Sequence, residues 1–234
     1  MQYAIIAAGE GSRLVQEGVA APKPLVKVGG ECLIDRLVRI FMANGASAIS
    51  VVCRHDELVE RHVQAICDTN TLVRYIVRIT PSSMHSLREL VPLLETDAPF
   101  VLTTVDTVFD EREFAAYVTA FAQALADGYD GLMGVTDFVD DERPLYVKTN
   151  ERMDILAFLD GDDHPRHVSA GIYGLTPRAL STLQACIDRG EQRMRNFQRA
   201  LLADGQRLKA WTFGRVYDID HAADIMKAEQ YLQR

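Results

Sequence analysis

Positive charge is scarce in this 234-residue sequence: 25 Lys and Arg face 33 Asp and Glu, a formal net charge of −8. A field of that sign repels nucleic acid and anionic lipid, so neither a nucleic-acid nor a membrane partner is expected. Cysteine is also sparse. Cys32, Cys53, Cys67 and Cys186 show no CxxC spacing, which argues against a zinc site or a disulfide framework and fits reduced thiols in the cytoplasm. No apolar run approaches the length of a bilayer span, and the first, Tyr3 to Ala8, has no basic stretch ahead of it. Repeats, low-complexity tracts and linkers are lacking too, so one domain over residues 1–234 is expected. With 48% hydrophobic residues it can bury a sizeable core.

What is present is an alternation of short apolar runs with longer amphipathic segments. That pattern predicts an α/β fold with a mainly parallel sheet flanked by helices. Strands are expected at Tyr3 to Ala8, Ala48 to Cys53, Leu72 to Ile79, Pro99 to Val105, Gly131 to Thr136 and Val168 to Leu175. Helical spacing joins Leu33, Leu37, Ile40 and Phe41, stopped by Asn44-Gly45; Asp56 and Asp110 are placed to cap later helices. A short helix is expected over Ser86 to Leu94. Pro177 opens another, and Met194 to Leu202 and Asp220 to Leu232 follow. Between Asp137 and His167 the pattern weakens to two short strands among acidic loops, where a β-rich, substrate-facing insertion would sit.

The chemistry begins where the first strand stops, at Gly9-Glu10-Gly11-Ser12-Arg13-Leu14. Glycines let backbone N–H groups approach an anion closely. Leu14 stands where a dinucleotide fingerprint needs its last glycine, and no Gly-Lys-Ser/Thr follows, so neither the GxGxxG nor the Walker pattern is met. A bare GxG also serves as a plain strand-to-helix turn. Arg13 and Lys23 favour the phosphate reading. The prolines in Pro22-Lys23-Pro24 stiffen the backbone around Lys23 and deliver its ammonium to a defined place.

Ala7-Ala8-Gly9-Glu10-Gly11-Ser12-Arg13-Leu14 followed by Pro22-Lys23-Pro24-Leu25 resembles the signature of the nucleotidyltransferases that build sugar nucleotides, CDP-choline and related activated metabolites. The resemblance implies a Rossmann-like mixed sheet of the nucleotide-diphospho-sugar transferase type. It implies that Ala8, Gly9, Gly11 and Ser12 wrap the NTP phosphates while Arg13 and Lys23 offset charge as the α-phosphate is attacked. It places the family loop that touches base and ribose at Pro81 to Leu87, with Ser82, Ser83 and Ser86 as candidate donors, although such hydroxyls also serve as turn and cap residues.

Two polyanions meet only with a divalent cation between them, so carboxylates are needed. Asp106 ends an apolar strand, the place where open α/β sheets bind ligands; in the family an Asp there holds Mg²⁺, although Asp106 would also suit a helix cap. Val216-Tyr217-Asp218-Ile219-Asp220 resembles the family's C-terminal acidic motif and makes Asp218 and Asp220 its metal partners, with Asp220 an alternative N-cap. An Asp-x-Asp along an extended segment points both carboxylates to one face. Asp224 is expected to complement the dipole of the last helix.

The acceptor side departs from the family. Where sugar-nucleotide pyrophosphorylases carry Glu-Lys-Pro, this sequence reads Phe158-Leu159-Asp160-Gly161-Asp162-Asp163. Lys148 is a candidate substitute for the missing lysine, and Gly171 and Tyr173 are candidates to approach the acceptor. An acidic, aromatic-edged site of Asp160, Tyr146, Tyr173 and Trp211 would suit a cationic acceptor such as phosphocholine. The expected function is Mg²⁺-dependent transfer of a nucleotidyl group from an NTP to a small phosphorylated acceptor, a sugar 1-phosphate or a phosphocholine-like molecule, with release of pyrophosphate. The alternatives are a nucleotide-sugar-dependent glycosyltransferase and an inactive sensor of nucleotides.

Overall fold

The computed structural model describes residues 1–139, 143–161 and 165–233. The chain opens with β1 (Gln2–Ala7), the five-residue helix α1 (Ser12–Gln16), a 3-10 turn at Lys23–Leu25, and a hairpin of β2 (Lys27–Val28) with β3 (Glu31–Cys32). Then come α2 (Leu33–Ala43), β4 (Ala48–Cys53), α3 (Glu57–Thr69), β5 (Val73–Val77) and α4 (Ser83–Leu90). β6 (Phe100–Thr104) and the short β7 (Thr107–Val108) precede α5 (Glu111–Ala126) and β8 (Gly131–Thr136). The second half contains β9 (Tyr146–Thr149), β10 (Ile155–Leu159), β11 (His167–Leu175), α6 (Arg178–Asp188) and α7 (Met194–Ala203). It closes with β12 (Leu208–Phe213), β13 (Tyr217–Asp218) and α8 (Ala222–Leu232).

Among the described residues nine strands form one mixed sheet, with β1 at its centre between β4 and β6, all parallel, and β5 parallel beyond β4. Every residue of β1 is buried, and its side chains alternate between two cores. Tyr3, Ile5 and Ala7 pack with α2, α3 and α5 on one face; Ala4, Ile6 and Ala8 pack with α4, α6 and α7 on the other. Because these central strands are parallel, their C-terminal ends share one edge. Ala8, Arg54 and Asp106 leave the sheet there.

The expected β-rich insertion is an extension of the same sheet. β11 runs antiparallel to β6 through its second half and to β9 through its first, while β10 pairs β9. The opposite side of β11 carries β8, to which β12 is parallel. The β8 pairing shifts register between Ser169 and Tyr173, and Gly171 within that shift has φ +72°. Asp56 and Asp110 cap α3 and α5 through side-chain bonds to two backbone N–H groups each.

The helix expected over Ser86 to Leu94 starts three residues earlier, and from Val91 it tightens to a 3-10 turn containing Pro92. The β2–β3 hairpin and the β7–β13 ribbon lie outside the expected pattern, because two-residue strands carry no periodicity. Among the described residues no helix is long and apolar enough to cross a membrane.

Candidate active site

The site grows from β1. The chain turns at Gly9-Glu10-Gly11, and Gly11 takes φ +62°, in the left-handed region. A Cβ placed on Gly11 would stand 3.0 Å from the Lys23 Cβ, so the glycine loop and the Pro-Lys-Pro turn lie against each other. Gly11→Ala is expected to destabilise the fold by about 1–2 kcal/mol through backbone strain alone. It should also push Lys23 aside. Denaturant unfolding together with the nucleotide KM checks both effects.

Pro22 holds φ −56° and Pro24 is buried, fixing the 3-10 turn that projects Lys23. The Lys23 side chain is only 9% exposed. An ammonium so placed needs partners, and it has two: Nζ pairs with Asp106, and it bonds Asp220 Oδ1 at 2.6 Å. Burial works against the charged form, but the two carboxylates outweigh it and hold the Lys23 pKa above the usual lysine value. For Asp220 burial raises the pKa, yet Lys23, Arg13 and His221 together leave it lowered. Arg13 reaches Asp220 Oδ2 at 3.1 Å from the other side. It is 52% exposed and lines a hollow of about 340 Å³ beside α8 that also reaches Asp218 and Asp220.

Asp110 accepts from the N–H groups of Arg112 (2.8 Å) and Glu113 (3.1 Å), so α5 is capped without Asp106, whose carboxylate is turned to Lys23. The β7–β13 ribbon then sets Asp218 opposite Thr107, and the Ile219 N–H donates to the Asp106 carbonyl at 3.1 Å. The Asp-x-Asp segment is not extended. The Asp220 N–H returns to the Asp218 carbonyl at 3.0 Å in a tight turn, which gives the two carboxylates different neighbours. Asp218 Oδ1 accepts from Thr107 Oγ1 at 3.5 Å, while Asp220 faces the cations. His221, not Asp220, holds the N-cap position of α8, and Asp224 accepts from its N–H at 2.8 Å.

Gly171 admits this ribbon closely. A Cβ there would lie 3.2 Å from Thr107 Oγ1, which is itself bonded to Thr104 Oγ1 at 2.7 Å. Next to it Tyr173 is buried. Desolvation, with smaller contributions from Asp218 and Asp106, pushes its phenol pKa up to about 12.

Two clefts meet over Asp106. The first, about 810 Å³, is lined by Ala8, Gly9, Lys23, Ser82, Ser83, Ser86 and Asp106. The second, about 450 Å³, holds Asp106, Asp218, Asp220, Gly171 and Tyr173. Ser82, Ser83, Thr104 and Asp106 border both. Ser86 Oγ is buried and hydrogen-bonds Thr80 Oγ1 (2.6 Å) and the Ser82 carbonyl (3.2 Å), so it braces the loop. Ser12 is exposed and lines neither cleft.

The expected acceptor residues divide. Lys148 is exposed on β9, outside both clefts. Asp160 also lies outside, held by Arg195 at 2.6 Å and Arg199 at 2.8 Å. Trp211 packs on Tyr117 and Phe213, and Tyr146 lines neither cleft. Asp162 and Asp163 fall outside the described residues. In their place the second cleft carries Arg143, Arg193 and Arg195, with Gln192 and Gln198. The sequence reading missed these arginines, although Arg193 and Arg195 straddle the start of an amphipathic helix. Glu10 with Arg54, 3.0 Å apart across the first cleft, was also missed.

Asp106, Asp218 and Asp220 offer the hard oxygen donors that a divalent cation takes, and Lys23 Nζ already sits between two of them. Their oxygens do not gather at one point as they stand. The donor chemistry fits a cation, with the ammonium as its resident counter-charge.

Residues 3–205 match the model of the MobA-like NTP transferase domain. A 115-residue stretch is 30% identical to 2-aminoethylphosphonate cytidylyltransferase of Lancefieldella rimae, covering 47% of this chain and 45% of that protein. The chain therefore spans less than half the length of that relative. Among solved structures, the inositol-1-phosphate CTP transferase from T. maritima is similar with TM-score 0.81 at 18% identity, over 100% of this chain and 96% of that one. The nucleoside-diphosphate-sugar pyrophosphorylase from Vibrio cholerae RC9 gives TM-score 0.75 at 16% identity, over 98% and 100% of the two chains. At such identities the likeness is one of fold.

Proposed function

Because the chain belongs to the MobA-like NTP transferase domain family, we propose that it transfers a nucleotidyl group from an NTP, CTP by preference, to a small acceptor bearing a phosphate or phosphonate. The observation that carries this reading is the position of Lys23 and Asp106 where the two clefts meet. The whole chain acts as one nucleotidyltransferase domain in the cytoplasm. The preference for cytosine rests on the cytidylyl chemistry named for the Lancefieldella rimae and T. maritima proteins.

The NTP lies in the first cleft, its phosphates along Ala8, Gly9 and Lys23 and its base toward Ser82 and Ser83. The acceptor lies in the second. An anionic acceptor oxygen attacks the α-phosphorus, a P–O bond forms, the bridge to the β-phosphate breaks, and pyrophosphate leaves with that electron pair. No proton needs to move, so no side-chain nucleophile or general base is required. Lys23 offsets charge as it spreads over the α-phosphate oxygens. Asp106, Asp218 and Asp220 would hold Mg²⁺, which when bound supplies further neutralisation between the two polyanions. Arg193, in place of the expected Lys148, receives the acceptor's anionic group and orients it by charge-assisted hydrogen bonds, with Arg195 beside it held by Asp160.

The test is pyrophosphate release from each of CTP, UTP, GTP and ATP against 2-aminoethylphosphonate, phosphocholine, inositol 1-phosphate and glucose 1-phosphate. Release is expected with CTP and one acceptor class. Absence of release from every pair sinks the reading in favour of a sensor. In the active pair, Arg193→Ala is expected to raise the acceptor KM about 10- to 100-fold, the worth of one hydrogen bond to a charged group. The CTP KM should stay within about twofold. Equal changes in both would remove the arginine from the acceptor side.

A further inference from the structure

We propose that Cys32, Asp35 and His62 form a zinc-binding site on the α2–α3 flank of the sheet, outside both clefts. The thiol, one carboxylate oxygen and one ring nitrogen all lie within 4.8 Å of one another. Cys32 ends β3 and stands at the N-cap of α2; Asp35 is one turn into that helix, on the same face, and His62 faces them from α3. His62 Nε2 bonds Asp35 Oδ1 at 2.7 Å, and the Cys32 thiol lies within 4.8 Å of both. Zinc takes such mixed sulfur, nitrogen and oxygen sets at about 2.0–2.3 Å. Drawing three ligands onto one ion from this spacing asks for side-chain rotations of only about 1 Å. All three residues are partly exposed, which leaves room for water as the fourth ligand.

Two other readings of the cluster are weaker. In a nucleophilic dyad the imidazole sits against the thiol; here His62 bonds the carboxylate, and burial with the Asp35 charge holds the Cys32 pKa up, so the thiol is not activated. A plain Asp–His ion pair leaves unused the thiol that stands within 4.8 Å of both partners. Cysteine spacing hid this site, since Asp35 and His62 are 27 residues apart and no CxxC is involved. On binding, the Sγ–Zn bond forms as the Sγ proton leaves to solvent. The ion would join the β2–β3 hairpin, which directly follows the Lys23 turn, to α3.

The full chain, stripped of metal, is titrated with Zn²⁺ in competition with a chromophoric chelator, and separately with Co²⁺. One zinc per chain is expected, with a near-ultraviolet thiolate-to-cobalt band and a zinc-dependent rise in Tm. Outer-shell changes alone weaken zinc sites 10- to 100-fold, so Cys32→Ser should weaken binding at least about tenfold and abolish the band. His62→Gln, a partly exposed change on α3 that leaves the thiol in place, should weaken it similarly, while Asp106→Asn should retain it. Zinc held equally by wild type, Cys32→Ser and His62→Gln, or a cobalt complex lacking the thiolate band, overturns the site. Neither outcome depends on nucleotidyl transfer.

Discussion

Asp106→Asn is expected to lower pyrophosphate release by about 10³-fold, close to 4 kcal/mol of transition-state stabilisation, while the sheet stays folded. The change keeps the side chain's shape and removes its charge where the two clefts join. It leaves α5 untouched, since Asp110 provides the cap. The Asp106 carbonyl that receives the Ile219 N–H is also kept. Lys23 loses one of two partners but retains Asp220, which is 45% exposed and can take up water as well. The stability cost should therefore stay near 1–2 kcal/mol, below that of opening a fully buried pair. A thermal melt and a turnover assay on the same preparation separate these effects. Release at the wild-type rate would remove Asp106 from the chemistry.

Lys23→Met should act on the chemical step more than on nucleotide binding. Methionine keeps the apolar stem packed against the glycine loop and deletes only the ammonium. Loss of a preorganised charge of this kind costs about 10²- to 10³-fold in kcat, with a smaller change in the NTP KM because the glycine-loop backbone remains. Asp106 and Asp220 then lose the ammonium between them while Arg13 and His221 still offset Asp220, which lowers Tm modestly. A lower Tm with kcat intact would mean that the lysine only ties the two carboxylates together.

The parallel spine was legible because long buried strands and capped amphipathic helices carry strong periodic signals. Ala48–Cys53 and Gly131–Thr136 match the expected limits, and Asp56 and Asp110 cap as read. At the site, Lys23 and Asp106 were readable from local context, a stiffened turn and a strand end. Asp218 and Asp220 needed the resemblance, because the ribbon that presents them has two-residue strands whose pairing is decided across 111 residues. On the acceptor side Gly171 and Tyr173 line the second cleft as expected, whereas Lys148 and Asp160 lie outside it for a different reason. Acidic residues in a loop look available in sequence, whereas Asp160 is already taken up by Arg195 and Arg199. Which of two opposite charges faces a cleft is settled by tertiary pairing.

The β7–β13 ribbon has a consequence for the order of events during synthesis. The lining of the first cleft that runs from Ala8 to Asp106 is made early, but Asp218 lies 111 residues beyond Thr107, its partner in the ribbon. A nascent chain that has emerged only as far as residue 205 contains every strand of the central sheet except β12, which closes the β8 edge. In it Lys23 has Asp106 but no second carboxylate. The second carboxylate of Lys23 is therefore set late, only when Tyr217–Asp218 pairs with Thr107–Val108 across sheet strands already made.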